Sequence, residues 1–241
     1  MKQYNHLLFD LDDTILDFQA TQFRAINRII KVYAPQIDEE IFNTTYNEIN
    51  HHLWAKYENG EIMKNDIITK RFALTFEKLA IDADGQLAAK DYQKFLSEGY
   101  DLLPHAIETL KQVKQAGYCL YVVSNGELHT QMSRLAGAKL THYFDAVYIS
   151  EQTGSQKPNK KFFEYVFANS PEIEKSKALM IGDSITSDIQ GAKNSGLDSC
   201  WFNVFETKQK SNATFEVMNH KQLQKLLLEQ EITIQTKSFS I

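Results

Sequence analysis

Only two cysteines occur among the 241 residues, Cys119 and Cys200. That scarcity argues against a disulfide-stapled scaffold or a cysteine-built metal site. Each lies inside an apolar, strand-like run, and both are expected to be packing thiols buried in a core. Long apolar runs are also missing: stretches such as KALMIGD and YCLYVVSN are far too short to cross a bilayer. The opening MKQYNHLLFDLDD has no long apolar segment followed by a small-residue cleavage site, so no secretory signal is expected. Positive charge is not in excess; the formal net charge is −5, which gives no footprint for a nucleic-acid polymer. There is no internal repeat and no low-complexity tract. These absences lead to the expectation of a cytoplasmic protein whose partners include neither a membrane nor a nucleic-acid polymer. The apolar content of 43% suffices for a packed core and excludes a disordered chain.

What is present is alternation. Five short runs rich in β-branched or aromatic residues are expected to be strands: HLLFD (6–10), CLYVVSN (119–125), DAVYIS (145–150), KALMIGD (177–183) and DSCWFNV (198–204). Helical patterns fall between most of them: HAIETLKQVKQAG after Pro104, NKKFFEYVFANS after Lys157-Pro158, and SDIQGAKNSG ending at Gly196. Near the end, TFEVM has the character of an edge strand and HKQLQKLLLEQ of a last helix. The terminal QEITIQTKSFSI carries no clear signal of order or disorder. Apolar strands separated by helices argue for a parallel sheet covered on both faces.

Residues 17–100 follow another rule. Four amphipathic helical patterns appear there, TQFRAINRIIKVYA, EEIFNTTYNEINHHLWAKYE, NDIITKRFALTFEKLA and LAAKDYQKFLSEGY, with breaks at Pro35, Asn59-Gly60 and Asp84-Gly85. The expected fold class is therefore α/β. Residues 1–16 and 101–241 would form a Rossmann-like parallel-sheet core, and residues 17–100 an inserted four-helix cap domain. Because the insertion leaves the sheet directly after an acidic cluster, it is expected to serve as a lid.

That cluster is the chemical centre of the sequence. In LLFDLDDTILD, residues 7–17, an apolar run ends in Asp10, Asp12 and Asp13. Like charges so close repel, and burying them unpaired costs several kcal/mol, a cost that a cation would remove. Ligands of open parallel sheets bind beyond the carboxyl ends of the strands. The other strand ends carry Ser124-Asn125-Gly126 and Gly182-Asp183-Ser184, with Asp188 on the following turn and Lys157 at the head of a helix. Carboxylates, a small hydroxyl beside backbone donors, and one lysine suit a phosphate bound with Mg²⁺.

These residues resemble the motifs of the haloacid dehalogenase (HAD) superfamily of phosphohydrolases, in the branch with a helical cap after the first strand. FDLDDT is similar to its Asp-x-Asp-x-Thr motif, LYVVSNG to its strand ending in Ser or Thr, GSQKPNKKFF to its lysine before a helix, and MIGDSITSDI to its Gly-Asp with a further acid downstream. The four occur in order between residues 6 and about 204. VSNGE, SQKPNKKFF and GDSITSDIQGAKNSGLDSCWFN are further similar to bacterial nucleotidases acting on pyrimidine nucleoside monophosphates. The resemblance implies a HAD-like core, Mg²⁺ as cofactor and a small phosphorylated metabolite as partner. The oligomeric state is not marked by any motif.

The chemistry of the residues agrees. An Asp nucleophile splits hydrolysis of a phosphomonoester into two steps through an aspartyl-phosphate, a role that falls to Asp10. Asp12 would give a proton to the leaving alkoxide and then take one from water. Asp10 and Asp183 are the expected carboxylate ligands of the metal, with Asp188 less directly involved and the main-chain carbonyl of Asp12 implied by the resemblance. Ser124, the backbone N–H groups of Asn125 and Gly126, and Lys157 would hold the phosphoryl oxygens.

Other readings stand beside these. Asp13 is expected to be a turn acid or one facing solvent, and Ser184 a residue at a helix start. Thr14 either caps the next segment or steadies the nucleophile. His51 and His52 are adjacent, so a helix would point them apart, as ordinary cap residues. Trp54, Tyr57, Phe72 and Phe76 have the spacing of a cap core, favoured over a base-stacking platform, and Lys64 and Arg71 are expected on a solvated face, favoured over meeting a substrate from the cap. The alternative functions are a sugar-phosphate or phosphoglycolate-type phosphatase, a phosphomutase, a 2-haloacid dehalogenase, and a non-catalytic HAD-like binding protein. A dehalogenase would not need Asp12, because halide leaves unprotonated. A silent binding protein would be expected to lose Asp10 or Asp12.

Overall fold

The structure, a computed structural model, describes residues 4–238, with side chains described to residue 229. The side chains of QEITIQTKSFSI, whose order the sequence leaves open, lie outside the described residues. The chain divides into two compact units, one made of the residues up to 18 together with those from 100 onward, the other of residues 19–99.

The first unit is built on six strands: β1 (His6–Phe9), β2 (Cys119–Ser124), β3 (Ala146–Ile149), β4 (Ala178–Gly182), β5 (Asp198–Phe202) and β6 (Phe215–Val217). All pair in parallel, in the order β3-β2-β1-β4-β5-β6. Strand β1 therefore lies between β2 and β4, where the order reverses, so a crevice opens beyond its carboxyl end.

Alternation along the strands supplies both layers of core. Leu7, Phe9, Leu120, Val122, Leu179 and Ile181 face one side. They pack there with Leu110 and Val113 of α5 (Ala106–Gln115) and Leu223 and Leu227 of α10 (His220–Ser238). Leu8, Tyr121, Val123 and Met180 face the other, against Phe162, Phe163 and Val166 of α8 (Lys160–Asn169) and Ala192 of α9 (Gln190–Ser195). Cys200 is buried as expected, whereas Cys119 is only half-buried at the start of β2; both are free thiols.

Two helices of this unit have no counterpart among the expected patterns: α6 (Leu128–Gly137) and the short α7 (Ser150–Thr153). The buried face of α6 includes Thr130, Gln131 and Arg134 beside Leu135. Leu128, Met132 and Leu135 have helical spacing, but Met132 is exposed and most of the buried face is polar, so the apolar pattern does not coincide with the inward face.

The second unit contains α2 (Glu39–Glu58), α3 (Lys64–Lys78), α4 (Gly85–Ser97) and all but the first residue of α1 (Phe18–Tyr33). Asp38 and Asp84 cap two of these helices, each accepting two backbone N–H bonds from the first turn. Tyr46, Phe72, Phe76 and Tyr92 form an aromatic centre, with Phe72 5.1 Å from both Tyr46 and Tyr92. Trp54 is half-buried and packs edge-on against Tyr57, while His51 and His52 are exposed. The solvated-face reading of Lys64 and Arg71 is wrong: both are buried. The Arg71 guanidinium lies 4.4 Å from the centre of the Tyr92 ring, and Lys64 approaches the ring of Tyr57. Aromatic faces make burial of these cations tolerable. Among the described residues no helix is long and apolar enough to cross a membrane.

Candidate active site

The turn after β1 is anchored from below. Asp10 N–H donates to the Ile181 carbonyl at 2.9 Å, tying β1 to β4. The N–H groups of Ile15 and Leu16 return to the Leu11 carbonyl, and Asp13 N–H to Leu16 O. Asp13 takes the left-handed conformation at φ 53°, which aspartate tolerates better than most residues. It lies in a turn as expected but does not face solvent. Its side chain is buried, and its Oδ1 accepts the Phe18 N–H at 3.0 Å, where α1 begins. Thr14 is fully buried; its hydroxyl makes no hydrogen bond among the described residues, so neither role considered for it is seen. Its carbonyl accepts Nε2–H of His220 at 2.9 Å, and burial pushes that imidazole down to about 4.

Lys157 binds the acidic side of the site together. Its buried Nζ donates to Asp10 Oδ1 at 2.7 Å, to Asp188 Oδ1 at 2.6 Å and to the Val123 carbonyl at 2.7 Å. Its backbone is held by Asn125, whose Oδ1 accepts the Lys157 N–H and whose Nδ2 donates to the Lys157 carbonyl and to Ser187 Oγ. Asp188 reaches back to the end of β4 through a π-helical turn, Ile185–Ile189, a distortion common at functional sites. Ser184 starts that turn as expected, accepting the Ser187 N–H on its hydroxyl, while its own N–H donates to Asp188 Oδ2. A Cβ at Gly182 would fall 2.2 Å from Asp188 Oδ2; only glycine lets the carboxylate pass so close. The Asp183 carbonyl accepts Nε1–H of Trp201 at 2.8 Å.

Asp10, Asp183 and Asp188 bring carboxylate oxygens within 4.8 Å of one another. Burial, with the charges of Asp188 and Asp12, pushes the Asp10 carboxyl up to about 7 against the pull of Lys157. Burial raises Asp183 as well, reinforced by Asp188, Asp10 and Asp13. For Lys157, burial opposes the charge, but Asp10 and Asp188 outweigh it and raise its pKa. The cluster thus concentrates more negative charge than one ammonium offsets. An all-oxygen donor set of this kind fits a hard divalent cation.

The second carboxylate of the motif turns the other way. Asp12 Oδ1 receives Nη1–H of Arg134, and its Oδ2 receives Nε2–H of Gln131 at 2.7 Å. The same Gln131 amide donates to Ser124 Oγ at 3.0 Å, and that hydroxyl also accepts the Gly126 N–H at 3.0 Å. Asp12 therefore stands next to Ser124 and Gly126, at the carboxyl end of β2. Asp10, Asp183, Asp188 and Lys157 are brought together; the Asp12 carboxylate is engaged outside that group. Gln131, Arg134 and the side-chain role of Asn125 carry no mark in the sequence beyond the two residues' spacing of three on a helix.

The sequence pattern of the family described as Haloacid dehalogenase-like hydrolase matches residues 7–202. The HAD-hydrolase YfnB of Bacillus subtilis is 38% identical over 203 residues, 84% of this chain and 86% of that protein. The pyrimidine 5′-nucleotidase PynA of Streptococcus pneumoniae is 36% identical over 222 residues, 91% and 93% of the two chains. The pyrimidine 5′-nucleotidase YjjG of Escherichia coli is 31% identical over 227 residues, 93% and 98%. A crystal structure of YfnB bound to magnesium superposes with a TM-score of 0.87 at 36% identity, covering 94% of this chain and 99% of that one.

Proposed function

The chain belongs to the haloacid dehalogenase-like hydrolase family, and within it we propose a Mg²⁺-dependent phosphomonoesterase that acts on a nucleoside 5′-monophosphate. The observation that carries this reading is the Lys157 ammonium between Asp10 and Asp188, with Asp183 in the same cluster and the Ser124–Gly126 turn on the neighbouring strand. The two pyrimidine 5′-nucleotidases among the relatives support the choice of ester.

Asp10 attacks phosphorus through a carboxylate oxygen, forming an aspartyl-phosphate as the ester oxygen leaves. Asp12 gives that alkoxide its proton, then takes one from the water that opens the acyl-phosphate, so the two half-reactions balance. Ser124 Oγ and the N–H groups of Asn125 and Gly126 receive the equatorial phosphoryl oxygens. Lys157 offsets the charge that the nucleophile and Asp188 would otherwise turn on the substrate. Asp10, Asp183 and Asp188, with the Asp12 carbonyl, would hold Mg²⁺, which supplies Lewis-acid charge neutralisation.

The test is phosphate release by purified protein with and without Mg²⁺, across nucleoside monophosphates and sugar phosphates, with Asp10→Asn in parallel. Release from nucleoside monophosphates that requires Mg²⁺ and disappears in the variant is expected. No release from any ester would overturn the reading.

A further inference from the structure

We infer that Gln131 and Arg134 are positioning residues for Asp12, fixing the direction in which it delivers and accepts its proton. The inference rests on the reading of Asp12 as acid and then base.

Both oxygens of the Asp12 carboxylate are held by one helix, α6: Oδ1 by Arg134 and Oδ2 by Gln131. The two holders are themselves joined, Arg134 Nη1 donating to Gln131 Oε1 at 3.1 Å. Arg134 is fully buried, with the ring of Phe18 5.5 Å from its guanidinium. A buried arginine is an expensive way to add stability, since apolar residues of similar volume serve as well or better. What it adds here is direction, because Arg134 and Gln131 each bind one oxygen and together fix the plane of the carboxylate.

The surroundings keep the pair in place. Glu127 caps α6, accepting the N–H groups of His129 and Thr130. A Cβ at Gly126 would fall 2.3 Å from Gln131 Nε2, so the bare backbone there leaves the space through which the amide reaches Asp12. Gln131 also spans from Asp12 to Ser124 Oγ, linking the proton carrier to the hydroxyl proposed for the phosphoryl oxygens. A proton carrier held at both oxygens in this way has few directions open for exchange with a leaving oxygen or a water.

Leaving-group dependence separates positioning from mere support. Uridine 5′-monophosphate needs a proton on its alkoxide, whereas 4-nitrophenolate departs without one. Arg134→Met should lower kcat/KM for uridine 5′-monophosphate by about 10²-fold and for 4-nitrophenyl phosphate by less than about threefold, the pattern of lost acid catalysis. Combined with Asp12→Asn it should add nothing to the loss from Asp12→Asn alone. Arg134→Lys should regain part of the activity lost on uridine 5′-monophosphate, and Gln131→Leu should reproduce the unequal loss on the two esters at smaller size. These two variants carry the comparison should Arg134→Met fail to fold. Equal losses on both esters, or a loss additive with Asp12→Asn, would overturn the inference while the phosphatase reading stands. A wild-type protein inactive on both esters overturns that reading, and the inference with it.

Discussion

Asp10 and Asp12 are separated by a single leucine, yet their carboxylates live in opposite surroundings. The Asp10 side is the β1–β4 edge. It is crowded with acid and held together by one lysine, and the Asp10 carboxyl is pushed up to about 7. The Asp12 side is the β2–α6 edge, where a half-buried carboxylate meets a guanidinium and an amide. One carboxylate is kept short of countercharge and the other is fully supplied. That difference matches the division of labour proposed for them, a nucleophile awaiting a cation and a proton carrier held in a fixed direction. The lesson is that two residues of turn are enough to give neighbouring acids different partners, because the chain after β1 meets β4 at Asp10 and the end of β2 with α6 at Asp12.

The largest effect should come from removing the lysine. Lys157→Met leaves Asp10 and Asp188 buried without their shared partner, and in metal-free protein this should cost about 3–5 kcal/mol in chemical denaturation. If stability is unchanged, the acidic edge does not depend on Lys157 and the contrast collapses.

A pair of glycine substitutions then probes each edge separately. Gly182→Ala drives a methyl into the Asp188 carboxylate, which Lys157 and the Ser184 N–H hold in place. Displacing that group should cut phosphate release by about 10²-fold. Gly126→Ala drives its methyl into the Gln131 side chain from Cγ to Nε2; it disturbs a holder of Asp12 and no carboxylate of the cluster itself, so its effect on phosphate release should be the smaller of the two. Equal effects would erase the distinction between the edge that carries the acidic cluster and the edge that positions Asp12.

The smallest expected effect is a pH dependence of metal-induced stabilisation. Asp10 is raised from 3.8 to about 7 in the folded protein, and burial raises Asp183 too. An acid so raised favours its neutral form on folding. Its contribution to stability is complete below its unfolded value and is lost as pH rises through about 7. Mg²⁺ binds the ionised carboxylates, so its gain in Tm should be slight near about pH 5 and grow through about pH 7. A gain that is flat with pH would count against the acidic cluster as its site.

Much of this organisation is legible in the sequence because strand ends carry it. β1, β2 and β4 announce themselves by apolar runs, and a parallel sheet collects their carboxyl ends whatever lies between. The acidic edge could be read in this way, residue by residue. The Asp12 edge could not. Its holders sit on α6, whose buried face is largely polar and does not coincide with the spacing of Leu128, Met132 and Leu135, and no motif marks Gln131 or Arg134. The same failing hid Arg71, which looks like a surface residue until Tyr92 is seen against it, and Asp13, which turned inward to meet the start of α1. Buried polar groups are chosen by partners distant in the chain, and local pattern holds no record of the partner.

The measurement that tests the central claim most directly is covalent. Protein turning over uridine 5′-monophosphate with Mg²⁺ is quenched in acid and digested, and the peptide containing Asp10 is weighed and sequenced by mass spectrometry. The account predicts the added mass of one phosphoryl group on Asp10, absent from Asp10→Asn and released by hydroxylamine. Phosphate release with that peptide unmodified, or with the phosphoryl group on another residue, would contradict it.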